Sequence, residues 1–361
     1  MTFIKDKPYN ELPLLPPKVD VETKSILKKA IAANRELAGM VNSCKRLPNQ
    51  GVLYNLIFLK EAKDSSEVEN IITTNDELYE AFSSDRKVVE PNTKEVLHYV
   101  DALWVGMKQI KENQILTTRT FISIVDTIKE NTAGVRTNSG VRIINDKTKE
   151  IIYTPPEGKE VIMGKLKDLE EFINRNDEID PLIKMAIIHY QFESIHPFSD
   201  GNGRTGRIIN LLYLTLSGLL DHPVLFLSKY ILDHKDQYYI RLRKVTEEGD
   251  WENWIIYMLE GIEKTAIYTK TKIDGIVDLF NETKNIIKQK KPKIYSKDLV
   301  EVIFKQPYCK IKFIEEAGIA KRLTASKYLQ ELEEIGILRS KKVGTEKLYV
   351  NIKFYNLLKN N

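Results

Sequence analysis

The sequence predicts a mainly helical protein with one lone β-hairpin and a small C-terminal helix-turn-helix domain carrying a β-wing. Three observations predict it. Apolar residues recur every three or four positions through most of the chain ahead of Lys284, which marks helices that bury one face. β-Prone arms stand at 141–145 and 150–154, around the polar turn Asp146-Lys147-Thr148-Lys149, and read as a hairpin. From Lys284 onward the charge changes sign: 18 Lys and Arg stand against 8 Asp and Glu, leaving 37 against 43 for the 283 residues before. A basic piece on a mildly acidic body implies a different partner for each part.

A chain of 361 residues has room for more than one domain, and 42% hydrophobic with 29% charged residues is ordinary for a globular protein with a large core. Residues 1–22 are punctuated by Pro8, Pro13, Pro16 and Pro17 and predict an extended arm over the body, which with the following helical stretch makes an N-terminal region 1–64. Leu27, Ala30, Ile31 and Leu37 give a helix over 23–39, a loop around Pro48 and Gly51 follows, and 52–62 is helical again. Ser66 with Glu69 three places on has the spacing of a capping box at a helix start. Residues 90–131 predict a long helical stretch, then 134–140 a polar loop, and Pro155-Pro156 closes the hairpin. The central domain is set at 65–283, a Lys-rich linker at 284–293, and the last domain at 294–361. There Ser296 caps a helix to about Lys305, a second covers 310–317, and Thr324 caps a third ended by Gly336; strands at 337–339 and 347–350 flank Gly344.

The chemistry gathers at residues 196–207. Pro181 opens an apolar helix, and Pro197 disfavours helical geometry at His196, placing the imidazole in a loop mouth. A second apolar run starts after Gly203, so Gly201, Asn202 and Gly203 lie at a helix N-terminus, where free N–H groups and the helix dipole favour an anion. Arg204 and Arg207 share one helix face and suit phosphate oxygens, while Asp200 stands ready for a divalent cation bridging phosphates. Together these predict a polyphosphate cradle with a base beside it. The same glycines, through Thr205 and Gly206, also fit a dinucleotide fingerprint with Asp221 as its acid, but that fingerprint needs a preceding strand and here follows a helix. A plain helix-to-helix turn explains the glycines but not the convergence of His196, Asp200, Arg204 and Arg207.

His196-Pro197-Phe198-Ser199-Asp200-Gly201-Asn202-Gly203-Arg204-Thr205-Gly206-Arg207 resembles the signature of the Fic family, H-P-F-x-(D/E)-G-N-G-R-x-x-R, at every specified position. The resemblance implies a Fic-type helical core and transfer of AMP from ATP to a hydroxyl side chain of a protein. It implies His196 as catalytic base, Asp200 as the Mg²⁺ ligand, and Gly201, Asn202, Gly203, Arg204, Thr205, Gly206 and Arg207 as the ATP site. Ser65-x-x-x-Glu69-Asn70 is similar to the family's inhibitory motif, which implies an inhibitory helix near 65–72 whose Glu69 pairs with Arg207. The hairpin near 141–154 is then the flap that holds a target segment by strand addition, with Ile151, Ile152 and Tyr153 nearest the nucleotide. Tyr238-Tyr239, followed by Gly249-Asp250-Trp251, resembles the segment that closes over adenine; aromatic core packing explains either tyrosine alone as well.

Other routes to ATP are disfavoured, because the chain holds neither Gly-Lys-Ser/Thr after a glycine loop nor His-Arg-Asp or Asp-Phe-Gly. His98, His189, His222 and His234 form no zinc set. The most apolar window, 208–220, is too short to span a bilayer, the N-terminus lacks a signal-peptide pattern, and Cys44 and Cys309 have no metal or redox spacing, so a soluble cytoplasmic protein with no membrane partner is expected. Arg322, Ser326 and Lys327 on the third C-terminal helix, with Lys341, Lys342 and Lys347 on the wing, suit DNA contact; such domains also dimerise or dock, and both options stand. A homodimer is compatible with the sequence, which does not decide it. Two alternatives accompany the AMP-transfer reading: a nucleotide-sensing DNA-binding regulator, and transfer of phosphate, UMP or phosphocholine by the same fold.

Overall fold

A computed structural model describes residues 3–47, 50–83, 89–144, 148–343 and 346–359. The body contains α1 (Lys24–Cys44), α2 (Gln50–Val68), α3 (Asn75–Ser83), α4 (Pro91–Asn113) and α5 (Thr118–Lys129). The two short strands β1 (Ile143–Ile144) and β2 (Ile151–Tyr153) follow, then α6 (Lys159–Asn174), α7 (Pro181–Ile195), α8 (Asn202–Leu216), α9 (Leu227–Asp233), α10 (Lys235–Glu248) and α11 (Trp251–Lys290). The C-terminal part is α12 (Lys297–Phe304), β3 (Tyr308–Cys309), α13 (Ile311–Glu316), α14 (Arg322–Glu334), β4 (Leu338–Val343), β5 (Glu346–Asn351) and α15 (Ile352–Lys359). The mainly helical class predicted above is the one found. Among the described residues no helix is long and apolar enough to cross a membrane.

α7 and α8 pack together at the centre, and their apolar residues are buried on every side, as expected of helices without a solvent face. Asp180 caps α7 through the N–H groups of Leu182 (2.8 Å) and Ile183, with Pro181 in the first turn. His189 sits fully buried between them, its Nε2 2.8 Å from the Tyr238 hydroxyl and its Nδ1 3.0 Å from Asn210, while its ring stacks on Trp254. Burial pushes this imidazole down to about 3, so it stays neutral as a structural link between α7, α8, α10 and α11.

Residues 3–17 lie over the body as an arm. Tyr9 N–H donates to the Thr154 carbonyl (3.0 Å), Gln191 Nε2 to Pro13 (2.8 Å), and Leu15 N–H to Asp168 (2.9 Å). Phe3 stacks on Tyr153 at 5.7 Å, so the arm buttresses the hairpin. The hairpin pairs Ile143 with Tyr153 and Ile144 with Ile151, and is shorter than its β-prone arms predicted; Asn145, Asp146 and Lys147 of its turn lie outside the described residues.

Several expected boundaries differ. No helix begins at Ser65: α2 runs through it to Val68, and residues 65–70 are that helix's end, with Asn70 left-handed (φ 62°) and the Ile71 N–H returning to the Ser66 carbonyl. The capping-box reading therefore fails, because Ser66 has more than four turns of helix ahead of it and no free first-turn N–H to serve. The boundary at 64 likewise cuts through α2. Residues 90–131 are two helices, α4 and α5, since Gln114 takes a left-handed C-cap and Thr117 caps the next start. Gln50 and Gly51 already belong to α2, whereas Pro48 and Asn49 of the expected loop lie outside the described residues.

The expected linker 284–293 is helical as far as Lys290, because Ile287 is fully buried and lysines are good helix formers. In the last domain Ser296 does cap α12 (Oγ accepting from Leu299 N–H, 3.0 Å), but α14 begins at Arg322, which leaves Thr324 inside it. Its antiparallel sheet has the order β3-β5-β4; Gly344 lies outside the described residues. This domain is docked rather than tethered: Tyr308 donates to Asp76 of α3, Lys341 pairs with Glu80, Lys353 with Glu282 (2.6 Å), and Lys272 Nζ donates to the Leu357 carbonyl (2.8 Å).

Candidate active site

α7 stops at Ile195, before the proline that disfavours helix at His196, and His196 follows in the left-handed region (φ 48°), a costly place for a side chain other than glycine, held here by Arg136. Arg136 Nε donates to the His196 carbonyl (2.8 Å), Nη2 to Pro156 (2.5 Å), and its own N–H to Pro197 (2.9 Å). Sequence reasoning placed Arg136 only in a polar loop. Replacing it with alanine would leave buried carbonyls unpaired around the histidine, and thermal unfolding should show a loss of about 1–3 kcal/mol. A melting temperature equal to that of the parent would refute this role.

The loop after His196 is pinned from within. Phe198 is buried against Phe192, and Asn202 grips its backbone twice, accepting from Phe198 N–H (2.9 Å) and donating to the Phe198 carbonyl (2.7 Å). The Asn202 side chain was expected to meet the nucleotide and is instead committed to the loop. Gly201 is left-handed (φ 82°), and a Cβ there would stand 3.2 Å from Val125. Thr205 is fully buried and Gly206 packs against Phe192 and Glu193, so both expected nucleotide contacts face inward. The first-turn N–H groups of α8 lack intrahelical acceptors and keep the anion-favouring end.

The two arginines divide. Arg204 Nη1 meets Glu95 Oε1 on α4 (2.7 Å), and Lys129 on α5 bridges Glu95 (2.9 Å) to Asp200 (2.6 Å). Partial burial would raise the Asp200 carboxyl, yet Lys129 and the Gly201 N–H hold it below the usual range, and its side chain is 65% exposed. Glu95 and Lys129 were not singled out in the sequence. Among the described residues no three His, Cys, Asp or Glu side chains cluster around a cation position. An exposed, ionised single carboxylate beside an anion-favouring helix end would suit Mg²⁺ that takes its other ligands from phosphates and water.

Arg207, only 2% exposed, points to α2: Nε donates to Ser65 Oγ (2.8 Å), and Nη2 to the Ser65 carbonyl (2.9 Å) and Glu69 Oε1 (2.8 Å). Burial pushes the Glu69 carboxyl up, but the Arg207 guanidinium outweighs it and holds the group ionised. Glu69 Oε1 also covers Gly203, where a Cβ would lie 2.2 Å from it. The expected inhibitory pair is thus in contact over the glycine turn.

A cleft of about 270 Å³ brings together His196, Arg207, Glu69, Glu193, Tyr238 and Tyr239, under a wall made by Phe3, Ile143, Ile152 and Tyr153. Tyr238 is buried through its His189 bond, Tyr239 is more exposed, and their rings stand edge to face at 5.1 Å. Tyr153 donates its hydroxyl to the Ser194 carbonyl (2.8 Å), so it props the hairpin; Ile151 is half-buried and does not line the cleft. Burial, aided by Arg136, pushes the His196 imidazole down to about 4, well below the ordinary histidine value.

Family models match three parts of the chain: Fic/DOC family N-terminal over residues 27–108, Fic/DOC family over 115–214, and "Protein adenylyltransferase SoFic-like, C-terminal domain" over 279–354. "Protein adenylyltransferase fic-1" of Caenorhabditis elegans is 32% identical over 129 residues, which is 34% of this chain and 24% of that protein. "Protein adenylyltransferase Fic" of Drosophila grimshawi is 30% identical over 112 residues, 30% of this chain and 22% of that protein. The chain thus spans about a quarter of the length of these curated relatives. Among solved structures, a Fic family protein from Desulfovibrio desulfuricans G20 superposes with TM-score 0.59 at 18% identity, over 93% of this chain and 98% of that one. Residues 134–508 of Fic-1 from C. elegans give 0.52 at 22% identity, over 70% and 74%. Likeness at such identities speaks to the fold.

Proposed function

The chain belongs to the Fic/DOC family, and on that footing we propose that it is a protein adenylyltransferase, moving AMP from ATP to a Ser, Thr or Tyr hydroxyl of a target protein. The observation that carries the reading is the convergence of His196, Arg207 and the Tyr238–Tyr239 pair on one mostly apolar cleft of about 270 Å³. In the proposed reaction the target oxygen bonds to the α-phosphorus and the bond from that phosphorus to the bridging oxygen breaks, releasing pyrophosphate. The hydroxyl proton passes to a ring nitrogen of His196, which its low affinity for protons keeps neutral and able to accept. The α8 amides stabilise the charge that develops on the α-phosphate, and Arg204 and Arg207 orient the phosphates beyond it. Arg207 can do so only after Glu69 withdraws, so the enzyme rests in a restrained form. Mg²⁺ held through Asp200 would neutralise phosphate charge. The chain's part is to free Asp200 from Lys129, which then faces the phosphates with Arg204.

The hairpin edge would align the target by main-chain pairing, since Ile144 is exposed beside the cleft. A cytoplasmic setting belongs to the same proposal and agrees with the buried free thiols of Cys44 and Cys309. The order α12-β3-α13-α14-β4-β5 supports the winged-helix reading of the last domain. DNA contact there would use Arg322, Lys327 and Lys342, all exposed, but not Lys341, which is committed to Glu80.

The test is incubation of the whole chain and cell lysate with Mg²⁺ and ATP labelled at the α or the γ phosphorus. Protein labelled from the α position alone is expected. Label from the γ position would make it a phosphotransferase, and no label together with retention on specific DNA would favour the nucleotide-sensing regulator.

A further inference from the structure

Arg207 meets one carboxylate directly and has a second close by. Glu193 lies on α7, three residues before His196, and lines the same cleft. Its Oε1 is buried without a hydrogen-bond partner. The room for it comes from Gly206: a Cβ there would stand 2.5 Å from that oxygen, so any side chain at 206 would push the carboxyl away. Gly206 immediately precedes Arg207, and the position places Glu193 within the electrostatic reach of Arg207 and Glu69 together.

We propose that Glu193 is a second positioning carboxylate for Arg207, taking the guanidinium when Glu69 withdraws and yielding it to the terminal phosphate only as Glu193 accepts a proton. The inference rests on the adenylyltransferase reading above.

The argument is one of charge. One buried cation cannot fully neutralise two partly buried carboxylates, and a charge left uncompensated there is costly, so one acid must give way. Glu69 makes the direct bond and stays ionised; Glu193 is pushed by burial, and by Glu69 in the same direction, up to about 7 against the pull of Arg207. The other titratable or charged groups around Glu193 are Arg243 and Tyr238 from α10, the tyrosine raised well above its ordinary value, His189 one turn back on α7, lowered to about 3, and His196 just past the end of that helix, lowered to about 4. None of these changes charge near neutrality. When Glu69 leaves, the repulsion it exerted on Glu193 goes and the attraction of Arg207 stays, so Glu193 ionises and pairs. An incoming phosphate reverses this, and the site takes up a proton as it takes up triphosphate.

The experiment is calorimetric titration of Mg-ATP into Glu69→Gly and into Glu69→Gly/Glu193→Gln full-length protein across about pH 4.5 to 8.5, from near the ordinary carboxylate value to above the value of about 7 that Glu193 has beside Glu69. Comparing the two variants cancels the ligand's own titration. They are expected to bind equally at the acid end, and the double variant about tenfold more tightly at the alkaline end, as one linked proton permits. Glu69→Gly/Glu193→Met should match the glutamine form, which separates loss of charge from a bond peculiar to glutamine. Parallel pH profiles for Glu69→Gly and both double variants would overturn the inference and leave the enzyme reading standing. No ATP binding by any of them would overturn both.

Discussion

Glu69→Gly is expected to raise AMP transfer by at least about tenfold, which asks for only about 1.4 kcal/mol of better transition-state stabilisation. Two obstacles go at once: the acceptor that holds Arg207 Nη2, and the oxygen lying over Gly203 at the turn proposed to bind phosphate. Arg207 keeps its two bonds to Ser65, so the guanidinium remains aimed at the cleft after release. Activation should come with lost stability, because the direct Glu69–Arg207 bond is broken, and losing one partner of a fully buried pair costs about 3–5 kcal/mol when no other acid replaces it. Glu69 is half-exposed at its rim, so the loss should fall below that range. The check is α-label incorporation beside a melting curve. Unchanged labelling in a folded, less stable variant would show that the pair is structural and does not gate the site.

His196→Ala is expected to lower transfer by about 10²–10⁴-fold, the usual worth of a general base, while leaving ATP affinity nearly intact, since the proposed phosphate contacts come from α8 and the arginines. The pH dependence adds a sharper test. The free imidazole sits near 4, so kcat/KM should hold steady through neutral and mildly acid pH and fall only as about pH 4 is approached, where the ring takes up a proton. Bound polyphosphate brings negative charge beside the ring and raises that value, so the acid limb of kcat should lie at higher pH than that of kcat/KM. Coincident limbs near pH 6.5 would mean that the free imidazole is solvated, contrary to its place in the cleft. Substantial labelling by the alanine variant would remove His196 from the role of base altogether.

The centre of this site was legible because its chemistry is contiguous. Residues 196–207 span one helix end, one turn and one helix start, and proline and glycine punctuate that path in ways a sequence displays. Glu95, Lys129 and Arg136 were not legible, since they arrive from α4, α5 and a loop, and no spacing links them to the segment they serve. Asn202, Thr205 and Gly206 belong to the signature yet serve the loop and the helix packing, a division that only contacts reveal. The Ser66–Glu69 spacing misled for a different reason. A capping pattern carries meaning only at a helix start, and the buried run Leu56, Ile57, Phe58, Leu59 and Ala62 carries α2 straight through it. At 284–293 lysine content suggested a solvated connector, whereas a periodic apolar stripe ending in Ile287 keeps the helix together.

That uninterrupted α11 has a mechanical consequence. Forty residues rising 1.5 Å each make a rod about 60 Å long, running from Trp251, which packs on Tyr190 of α7, to the base of the C-terminal domain. With Lys341 on Glu80 and Tyr308 on Asp76 closing a second connection, the domain has two attachments and no free swivel. Body and appendage should therefore tumble in solution as one elongated particle, with a single rotational correlation time. Anything that grips the far end would transmit torque along the rod into the packing around Trp254, the residue on which His189 stacks.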